Sequence, residues 1–160
     1  MESSDIAYYK TPIGIAKIIG DENGISSVFV IDEEIELSAE IPAFLEECVL
    51  QLDEYFKGTR KVFSVKLNPQ GTNFQKKVWN ELLKVPFGKS RSYLEQSKKV
   101  GDVKAIRAVA SANGKNPIWI IIPCHRIIGS NGSLTGYAGG IWRKKWLLNH
   151  ESSSPQQSLF

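Results

Sequence analysis

The chain has 160 residues, 42% of them hydrophobic, so it can bury a core as one domain or as two small ones. No apolar run approaches the roughly 20 residues that span a bilayer, and no leader-like segment opens the chain, so we expect a cytoplasmic protein without a membrane partner. Its only cysteines and histidines are Cys48, Cys124, His125 and His150, which disfavours a disulfide framework and predicts no metal site.

The charge is distributed unevenly along the chain. Residues 1–70 carry 6 Lys and Arg against 13 Asp and Glu, a net charge of −7, whereas residues 71–160 carry 14 against 4, a net charge of +10. Clustered Lys and Arg neutralise phosphates, so the second part is expected to meet a polyanion and the first to serve as an acidic scaffold. The alternative is an ordinary soluble surface with uneven charges.

The first 70 residues show the pattern of a small sheet with one helix. Residues 15–19 and 25–31 are rich in β-forming residues, and the Asn23-Gly24 pair between them predicts a hairpin. Apolar residues recur at helical spacing over residues 41–56, with Cys48 on the apolar face in a structural role. Residues 62–67 predict one more strand.

The part after residue 70 begins with helices. Thr72 and Gln75 fit a capping box that opens the first of them, and Ser92 and Glu95 fit a second. Asp102 can cap a further helix that runs to about residue 113. Two short helices joined around a glycine predict a helix-turn-helix.

The remainder alternates apolar and glycine-rich segments. Residues 118–122 predict a β-like run before Pro123-Cys124-His125-Arg126, and a glycine-rich hairpin follows. Residues 141–149 predict a last helix. Residues 152–157 lack periodicity and predict a mobile tail.

Cys124 is the candidate nucleophile. A cysteine followed by histidine and arginine, between an apolar run and a glycine-rich loop, can lie at the edge of a pocket, and the basic neighbours His125 and Arg126 favour the thiolate. From these residues alone, an inert buried cysteine is an equal alternative.

A longer set of segments resembles one family. IIIPCHRIIGSNGSLTGYAGG, with RAVASANGKNP before it and WLLNHE after it, is similar to the O6-alkylguanine-DNA alkyltransferases over most of residues 71–151, and YYKTPIG more loosely. The resemblance implies an α+β protein of two domains. Residues 1–70 would be a ribonuclease-H-like antiparallel sheet plus helix, and residues 71–151 a mainly helical winged helix-turn-helix domain that carries the active site. Residues 152–160 would be the tail.

The resemblance also implies the activity. It is DNA repair by direct, stoichiometric transfer of an alkyl group from O6-alkylguanine in duplex DNA to Cys124, after minor-groove binding and base flipping, with O4-alkylthymine as a further candidate substrate. The thioether product is not reversed by thiol exchange, so each molecule reacts once. No cofactor is implied, and the protein is expected to be a monomer.

Catalytic roles follow from the same resemblance. Cys124 would be the acceptor, His125 its base through a bound water, and Glu151 the group that orients the histidine. Neighbours on an extended chain point to opposite faces, which also favours a water relay. Asn116 would tie the recognition helix to the active-site loop, and Tyr93 would donate a proton to the departing guanine. A surface Glu151 and an ordinary turn at Asn116 are the alternatives.

The resemblance further implies a DNA-binding helix and a base pocket. Arg107 would fill the space that the flipped base leaves. The other residues predicted to bind DNA are Ala105, Ala108, Ser111, Ala112 and Arg126. The residues predicted to line the substrate pocket are Asn113, Trp119, Ile127, Tyr137 and Ala138.

Two features depart from the family pattern or add to it. Trp119 stands where other members carry a small residue, and we expect it to narrow the pocket so that methyl reacts faster than benzyl; packing against the other domain is the alternative. Gln156, Leu159 and Phe160 resemble a peptide that docks on the replication sliding clamp, which is a second candidate partner.

Other functional classes remain open at this stage. A lesion sensor that flips alkylguanine without reacting would lack the acceptor cysteine. A Cys-His hydrolase or acyltransferase would need an oxyanion hole that no segment supplies recognisably. A winged-helix regulator would bind DNA without chemistry.

Overall fold

The structure is a computed structural model that describes residues 5–134 and 136–152. The chain divides after Gln70 into two compact units, called here the N-terminal and the C-terminal unit. Within the described ranges, no helix is both long and apolar enough to cross a membrane. Of the predicted tail only Ser152 is described, and Gln156, Leu159 and Phe160 lie outside the described residues.

The N-terminal unit is built on a three-stranded antiparallel meander. Its strands are β1 (Asp5–Thr11), β2 (Gly14–Asp21) and β3 (Gly24–Ile31), in that spatial order. The predicted hairpin between β2 and β3 is confirmed. Gly24 has a φ of +127°, and a Cβ there would lie 2.8 Å from the Lys66 carbonyl oxygen, so the turn requires glycine.

One helix covers this sheet, as the apolar spacing predicted. A 3-10 turn, Ala43–Leu45, leads into α1 (Glu46–Phe56). The Tyr9 hydroxyl donates a 2.7 Å hydrogen bond to Asp53 and so links β1 to α1. Cys48 is buried on the inner face of the helix, and burial raises its thiol pKa to about 12, which suits an inert core residue.

The prediction of a strand at residues 62–67 is wrong. Only an isolated parallel bridge joins Ile25 to Leu67, with the Ile25 N–H donating to the Lys66 carbonyl at 2.9 Å and the Asn68 N–H to the Ile25 carbonyl at 2.7 Å. Val62 is 74% exposed, so this segment lacks the buried face that a strand of the sheet would present.

The described part of the C-terminal unit contains four α-helices. They are α2 (Asn73–Leu82), α3 (Tyr93–Val100), α4 (Ile106–Gly114) and α5 (Ile141–His150). Both predicted capping boxes are present, one between Thr72 and Gln75 and the other between Ser92 and Glu95. Each box satisfies N–H groups at a helix start, and so fixes where α2 and α3 begin.

α3 and α4 form the predicted helix-turn-helix. Gly101 ends α3 with a φ of +125°, and the Asp102 carboxylate then accepts a hydrogen bond from the Lys104 N–H. The residues that Asp102 caps form a 3-10 turn, Val103–Ala105, before α4 proper begins. The buried Trp79 of α2 donates its indole N–H to the Ala112 carbonyl at 2.9 Å, and this hydrogen bond links α4 to α2.

The apolar run at residues 118–122 is a compact set of turns and not the predicted strand. The Ile121 N–H donates to the Trp119 carbonyl and the Ile122 N–H to the Ile118 carbonyl. Ile120 has a φ of +73°, a strained backbone for a β-branched residue. All four isoleucines are buried, so the apolar composition reflects burial and not sheet periodicity.

The glycine-rich segment after Cys124 is also a turn. Two-residue strands, β4 (Arg91–Ser92) and β5 (Ile127–Ile128), pair in parallel before it. Hydrogen bonds from the Gly129 N–H to the Ser133 carbonyl and from the Gly132 N–H to the Gly129 carbonyl then close the turn. No antiparallel strands flank this turn among the described residues, so the prediction of a hairpin is wrong.

Candidate active site

Cys124 begins a 3-10 turn, Cys124–Arg126, at the wall of a cavity of about 600 Å³ in the C-terminal unit. The thiol-bearing residue is 4% exposed. The cavity walls come from α3, α4, this turn and the segment after β5. The described residues that line it are Tyr93, Ile106, Arg107, Ala110, Asn113, Gly114, Cys124, Gly129, Ser130, Gly136, Tyr137 and Ala138.

Asn116 clamps the turns that lead from α4 to Cys124. Its side-chain Nδ2 donates to the Ile122 carbonyl at 2.7 Å, and its Oδ1 accepts from the Ile118 N–H at 2.9 Å. Asn113, near the end of α4, donates from Nδ2 to the Cys124 carbonyl at 3.4 Å. The two amides therefore connect the second helix of the helix-turn-helix to the nucleophile.

The Cys124 thiol is held in its neutral form at rest. Burial raises its pKa to about 11, although a hydrogen bond from Asn116 and the charge of Lys144 oppose this increase. Among the basic neighbours, Lys144 is the one whose charge lowers the Cys124 pKa, and the expected effect of His125 and Arg126 stays a prediction. The thiolate is the nucleophile, so the site needs a proton acceptor close to Cys124.

A buried cluster of His125, Arg126 and Glu151 includes the two residues that follow Cys124 in the chain. Glu151, which ends α5, lies 2.8 Å from His125 Nε2 and accepts from Arg126 Nε at 2.8 Å and Nη2 at 3.0 Å. Burial on its own would raise the pKa of Glu151, but the pairing with His125 and Arg126 holds it well below its usual range. The carboxylate is therefore ionised.

An ionised Glu151 determines the tautomer of His125. A carboxylate can only accept, so Nε2 carries the hydrogen and Nδ1 keeps a lone pair when the imidazole is neutral. His125 is fully buried, and Nδ1 has no hydrogen-bond partner among the described residues. Cys124 and His125 are consecutive in a 3-10 turn, so the extended backbone from which a water relay was argued is absent.

Arg126 is misassigned as a DNA-binding residue. It is 6% exposed, and its third hydrogen bond runs from Nη1 to the Val85 carbonyl at 2.7 Å. The guanidinium is thus occupied inside the unit, where it balances the Glu151 charge.

Two tyrosines face the cavity. Tyr93 opens α3, and burial, followed by the negative charge that Cys124 carries when ionised, raises its pKa. The pKa of the more deeply buried Tyr137 is raised well above its usual value by the same two causes. Both phenols are therefore protonated at neutral pH, and Tyr93 can act as a hydrogen donor toward a bound ligand.

The pocket wall around Tyr137 is tightly packed. The rings of Trp119 and Tyr137 lie 5.7 Å apart, and a Cβ on Gly139 would come within 2.8 Å of Tyr137 and 3.0 Å of Trp119. Trp119 is not among the described lining residues, but its ring packs against Tyr137, which does line the cavity. Ile127 is not among the described lining residues either, since its side chain is fully buried, and the contact of its backbone with a base stays a prediction.

The outer face of α4 is open to solvent. Arg107, Ala108 and Ser111 are exposed there, and Ala105 is half-buried in the preceding 3-10 turn. Ala112 is misassigned to this face. It lies on the buried side of α4, where its carbonyl accepts the hydrogen bond from the Trp79 indole.

Sequence reasoning missed seven residues at the site, three of which, Gly129, Ser130 and Gly136, line the cavity from the segment after β5. Ile106, Ala110 and Gly114 of α4 line the cavity, and their i, i+4 spacing is the signal that marked one helix face. Lys144 is fully buried in α5, with Nζ 3.3 Å from the Gly136 carbonyl. It shares a helix face with the buried Leu147 and Leu148, and this register was the only sign that it points inward.

No group of three or more His, Cys, Asp or Glu side chains in the described part of the chain could hold a metal ion. The fold and the site together define a class of protein: a helix-turn-helix protein whose second helix forms one wall of a cavity around a buried nucleophilic cysteine.

Comparison with known proteins identifies the family. Residues 73–153 match the DNA binding domain of 6-O-methylguanine DNA methyltransferase, and residues 6–69 match its ribonuclease-like domain. The chain belongs to the 6-O-methylguanine DNA methyltransferase family, as its resemblance predicted, and the predicted two-domain α+β fold is confirmed.

Individual relatives cover almost the whole chain. A methylated-DNA--protein-cysteine methyltransferase of Methanosarcina acetivorans is 47% identical over 92% of this chain and 97% of its own length. The crystal structure of the Mycobacterium tuberculosis O6-methylguanine methyltransferase has a TM-score of 0.84 at 40% identity, covering 94% of each chain. The M. tuberculosis OGT in complex with DNA has a TM-score of 0.83 at 41% identity, covering 91% of this chain and 92% of its own.

Proposed function

We propose that this protein repairs DNA by transferring an alkyl group from O6 of a damaged guanine to its own Cys124. The observation that carries the proposal is the position of Cys124: the residue lines a cavity of about 600 Å³ that shares a wall with α4 of the helix-turn-helix. A cavity of this size accommodates a single base. Relatives with the name methylated-DNA--protein-cysteine methyltransferase support the reaction type.

The chemistry balances with groups present in the site. Sγ of Cys124 attacks the alkyl carbon, a C–S bond forms, and the C–O6 bond breaks with its electron pair left on the guanine. The thiol proton passes to His125 Nδ1 through a water, and Tyr93 protonates the departing base. Proton return from the histidine restores the phenol. The products are guanine and an S-alkylcysteine, and no cofactor is consumed.

Glu151 makes His125 an effective base. Its carboxylate holds the ring through Nε2 at 2.8 Å and stabilises the imidazolium that forms when Nδ1 takes up the proton. Arg126 in turn holds both oxygens of Glu151, so the carboxylate cannot rotate away. This arrangement compensates for the high pKa of the buried thiol.

DNA enters along α4. A base inside a duplex cannot present O6 to sulfur in line, so the damaged nucleotide must leave the stack. Arg107 is exposed where α4 begins and also lines the cavity, a position from which it can fill the space the base leaves. The small exposed residues Ala108 and Ser111 let the helix approach the minor groove closely. The DNA partner would be duplex DNA containing O6-alkylguanine, with O4-alkylthymine as a second substrate.

Trp119 sets the size of the accepted group in this proposal. Its indole supports Tyr137, which lines the cavity, so the wall cannot move outward to admit a benzyl group. The protein should therefore react faster with O6-methylguanine than with O6-benzylguanine in DNA, and equal rates would reject this role. Trp119→Ala should narrow the difference between the two rates.

The remaining partners and the location are proposals of the same kind. We propose a monomer that acts in the cytoplasm. A clamp interaction through Gln156, Leu159 and Phe160 is proposed from their sequence alone. Removing residues 156–160 should abolish binding to the cognate clamp without changing the transfer rate in its absence; unchanged binding would reject the idea.

The proposed function is tested by transfer from DNA labelled in the O6-methyl group. Wild-type protein should remove one methyl group per molecule and then stop. Cys124→Ser should remove none while still binding the duplex, and Cys48→Ser, the matched control at the other cysteine, should react like wild type. A wild-type protein that binds methylated DNA and leaves the methyl group in place would instead be a lesion sensor.

A further inference from the structure

We propose that Ile106 is an apolar wedge of the DNA-binding surface: its side chain enters the minor groove beside Arg107 and packs on the base pair next to the position that the damaged nucleotide leaves. This inference rests on the proposed function, because it requires a nucleotide that is flipped toward the cavity. The contact with the base stack can nevertheless be measured without methyl transfer.

The position of Ile106 differs from that of the other exposed apolar side chains. Ile106 is the first residue of α4, it is 37% exposed, and it also lines the cavity. Among the described residues, no other large apolar side chain is both exposed to solvent and part of the cavity lining. Ile106 therefore lies where the cavity opens to the protein surface.

The groups around Ile106 indicate a nucleic acid as the partner. Arg107 is exposed and lines the same cavity, and Lys104 is exposed two residues before Ile106. The unit to which they belong has a net charge of +10. Cationic side chains contact phosphates, whereas an aliphatic side chain gains contact only from a base or a sugar. An apolar group between two cations therefore suits the inside of a groove.

The exposed side of α4 leaves Ile106 and Arg107 to project beyond the helix. The other exposed residues of α4 are no larger than serine: Ala108, Ala110, Ser111 and Gly114. A helix surface of this kind approaches the minor groove closely, and the two large side chains then reach furthest into it. Isoleucine is branched at Cβ, so it has few rotamers and loses little side-chain entropy in the contact.

Flipping of one nucleotide exposes the faces of the neighbouring bases to water. Arg107 fills the gap in the proposed function, but a charged group recovers little of the apolar contact that stacking supplied. An aliphatic side chain at the same base step recovers part of it, which is the general use of isoleucine wedges in minor-groove proteins. Ile106 should therefore stabilise the flipped state relative to the stacked state.

The fluorescence of 2-aminopurine tests this contact directly. The probe is a duplex with 2-aminopurine next to O6-methylguanine, bound to saturation by Cys124→Ser, which cannot transfer the methyl group. Emission rises when the neighbours of 2-aminopurine no longer stack on it. Addition of Ile106→Ala to Cys124→Ser should roughly halve the rise, because less of the DNA is flipped. An unchanged rise would overturn the proposal.

Val103→Ala is the matched control. Val103 is 45% exposed in the 3-10 turn before α4, but it is not among the described residues that line the cavity. Its truncation removes a similar apolar side chain from the same helix-turn-helix. Added to Cys124→Ser, Val103→Ala should leave the 2-aminopurine emission unchanged. An equal decrease in both variants would overturn the proposal, because the effect would not depend on the position of Ile106.

Single-turnover methyl transfer gives a second test. Ile106→Ala should react about fivefold more slowly with the methylated duplex, because apolar area that offsets unstacking is lost. Its rate with free O6-methylguanine base should equal that of wild type, since the free base needs no flipping. An equal loss with both substrates would overturn the proposal, because Ile106 would then act only as a wall of the cavity.

Ile106→Val and Ile106→Thr separate the apolar contact from the shape of the side chain. The two variants have nearly the same shape and differ by a methyl group in place of a hydroxyl group. Ile106→Val should transfer from the duplex about threefold faster than Ile106→Thr. Equal rates would overturn the proposal. This comparison also serves if Ile106→Ala fails to fold, which thermal unfolding reports.

The wedge and the proposed function can fail separately. If wild type leaves the methyl group in place but Ile106→Ala lowers the 2-aminopurine emission, the proposed function fails and the wedge stands. If wild type transfers one methyl group, and neither the emission nor the duplex rate depends on Ile106, the wedge fails and the proposed function stands.

Discussion

Glu151 is the residue on which the buried charges of the site converge. It accepts hydrogen bonds from both His125 and Arg126, and all three side chains are almost inaccessible to solvent. A buried ion pair contributes little net stability compared with an apolar replacement, but removal of one partner leaves a charge uncompensated. We infer that the cluster serves to orient the histidine and not to strengthen the fold.

Glu151→Gln should damage both activity and stability. The amide cannot stabilise an imidazolium and leaves the Arg126 charge unbalanced. We expect the single-turnover transfer rate to fall about 100-fold and the free energy of unfolding to fall by about 3 kcal/mol. Rapid-quench transfer and urea unfolding measure the two effects, with the exposed Glu33→Gln as control. A variant with normal transfer would show that His125 needs no carboxylate.

The depressed pKa of Glu151 also predicts how stability depends on pH. Its folded pKa lies below the unfolded value of about 4.3, so its stabilisation is present above that value and is lost as the pH falls through and below it. Wild type should therefore lose more stability than Glu151→Gln between about pH 5 and pH 2. Urea unfolding over that range measures the difference; parallel curves would contradict it.

At the scale of elements, α4 contributes both an exposed outer face and one wall of the cavity. Its outer face carries the exposed Arg107, while Ile106, Ala110 and Asn113 form the cavity wall. Asn116, just beyond the helix, then fixes the turns that carry the nucleophile. In the proposed function, a single rigid helix would therefore hold the side chain that displaces the base and the cavity that receives it at a constant separation.

Arg107→Ala separates these two tasks. The variant should transfer from methylated duplex about 10-fold more slowly, because unstacking a base costs a few kcal/mol that the arginine helps to offset. The rate with free O6-methylguanine base, which needs no flipping, should equal that of wild type. Single-turnover kinetics with both substrates provide the comparison, and an equal loss with the free base would place the defect in the cavity itself.

The helices were more predictable than the segments between them. Thr72 with Gln75 and Ser92 with Glu95 are local signals, because a capping box involves residues three apart. The prediction of a β-like run at residues 118–122 failed because a continuous apolar run indicates burial and not a particular backbone conformation. The positive φ of Ile120 depends on Asn116 and on the core around it, which no local pattern encodes.

Side-chain direction was the hardest property of the site to predict. Arginine often contacts DNA phosphates, and Arg126 was predicted to do so. The turn at Cys124 instead directs its side chain inward to Glu151. Lys144 lies between the buried Arg143 and the exposed Lys145, so only its register with Leu147 and Leu148 indicated that it points inward. The family resemblance identified the segments that form the site. The direction in which each charged side chain points depended on tertiary packing.

At the scale of the whole molecule, the chain separates charge and chemistry between its two units. The N-terminal unit has the acidic composition, and the C-terminal unit has a net charge of +10 and contains Cys124 with every residue of the His–Glu–Arg cluster. A basic unit attracts the DNA backbone without reading sequence, which suits a protein that searches for damage at any position.

The central claim is that one methyl group moves from DNA to Cys124 and stays there. Mass spectrometry of the protein after incubation with an O6-methylguanine duplex tests this most directly. We expect every active molecule to gain the mass of one methylene group, carried only by the peptide that contains Cys124, together with unmodified guanine in the duplex. A methyl group on Cys48, or an unmodified protein bound to intact methylated DNA, would contradict the claim.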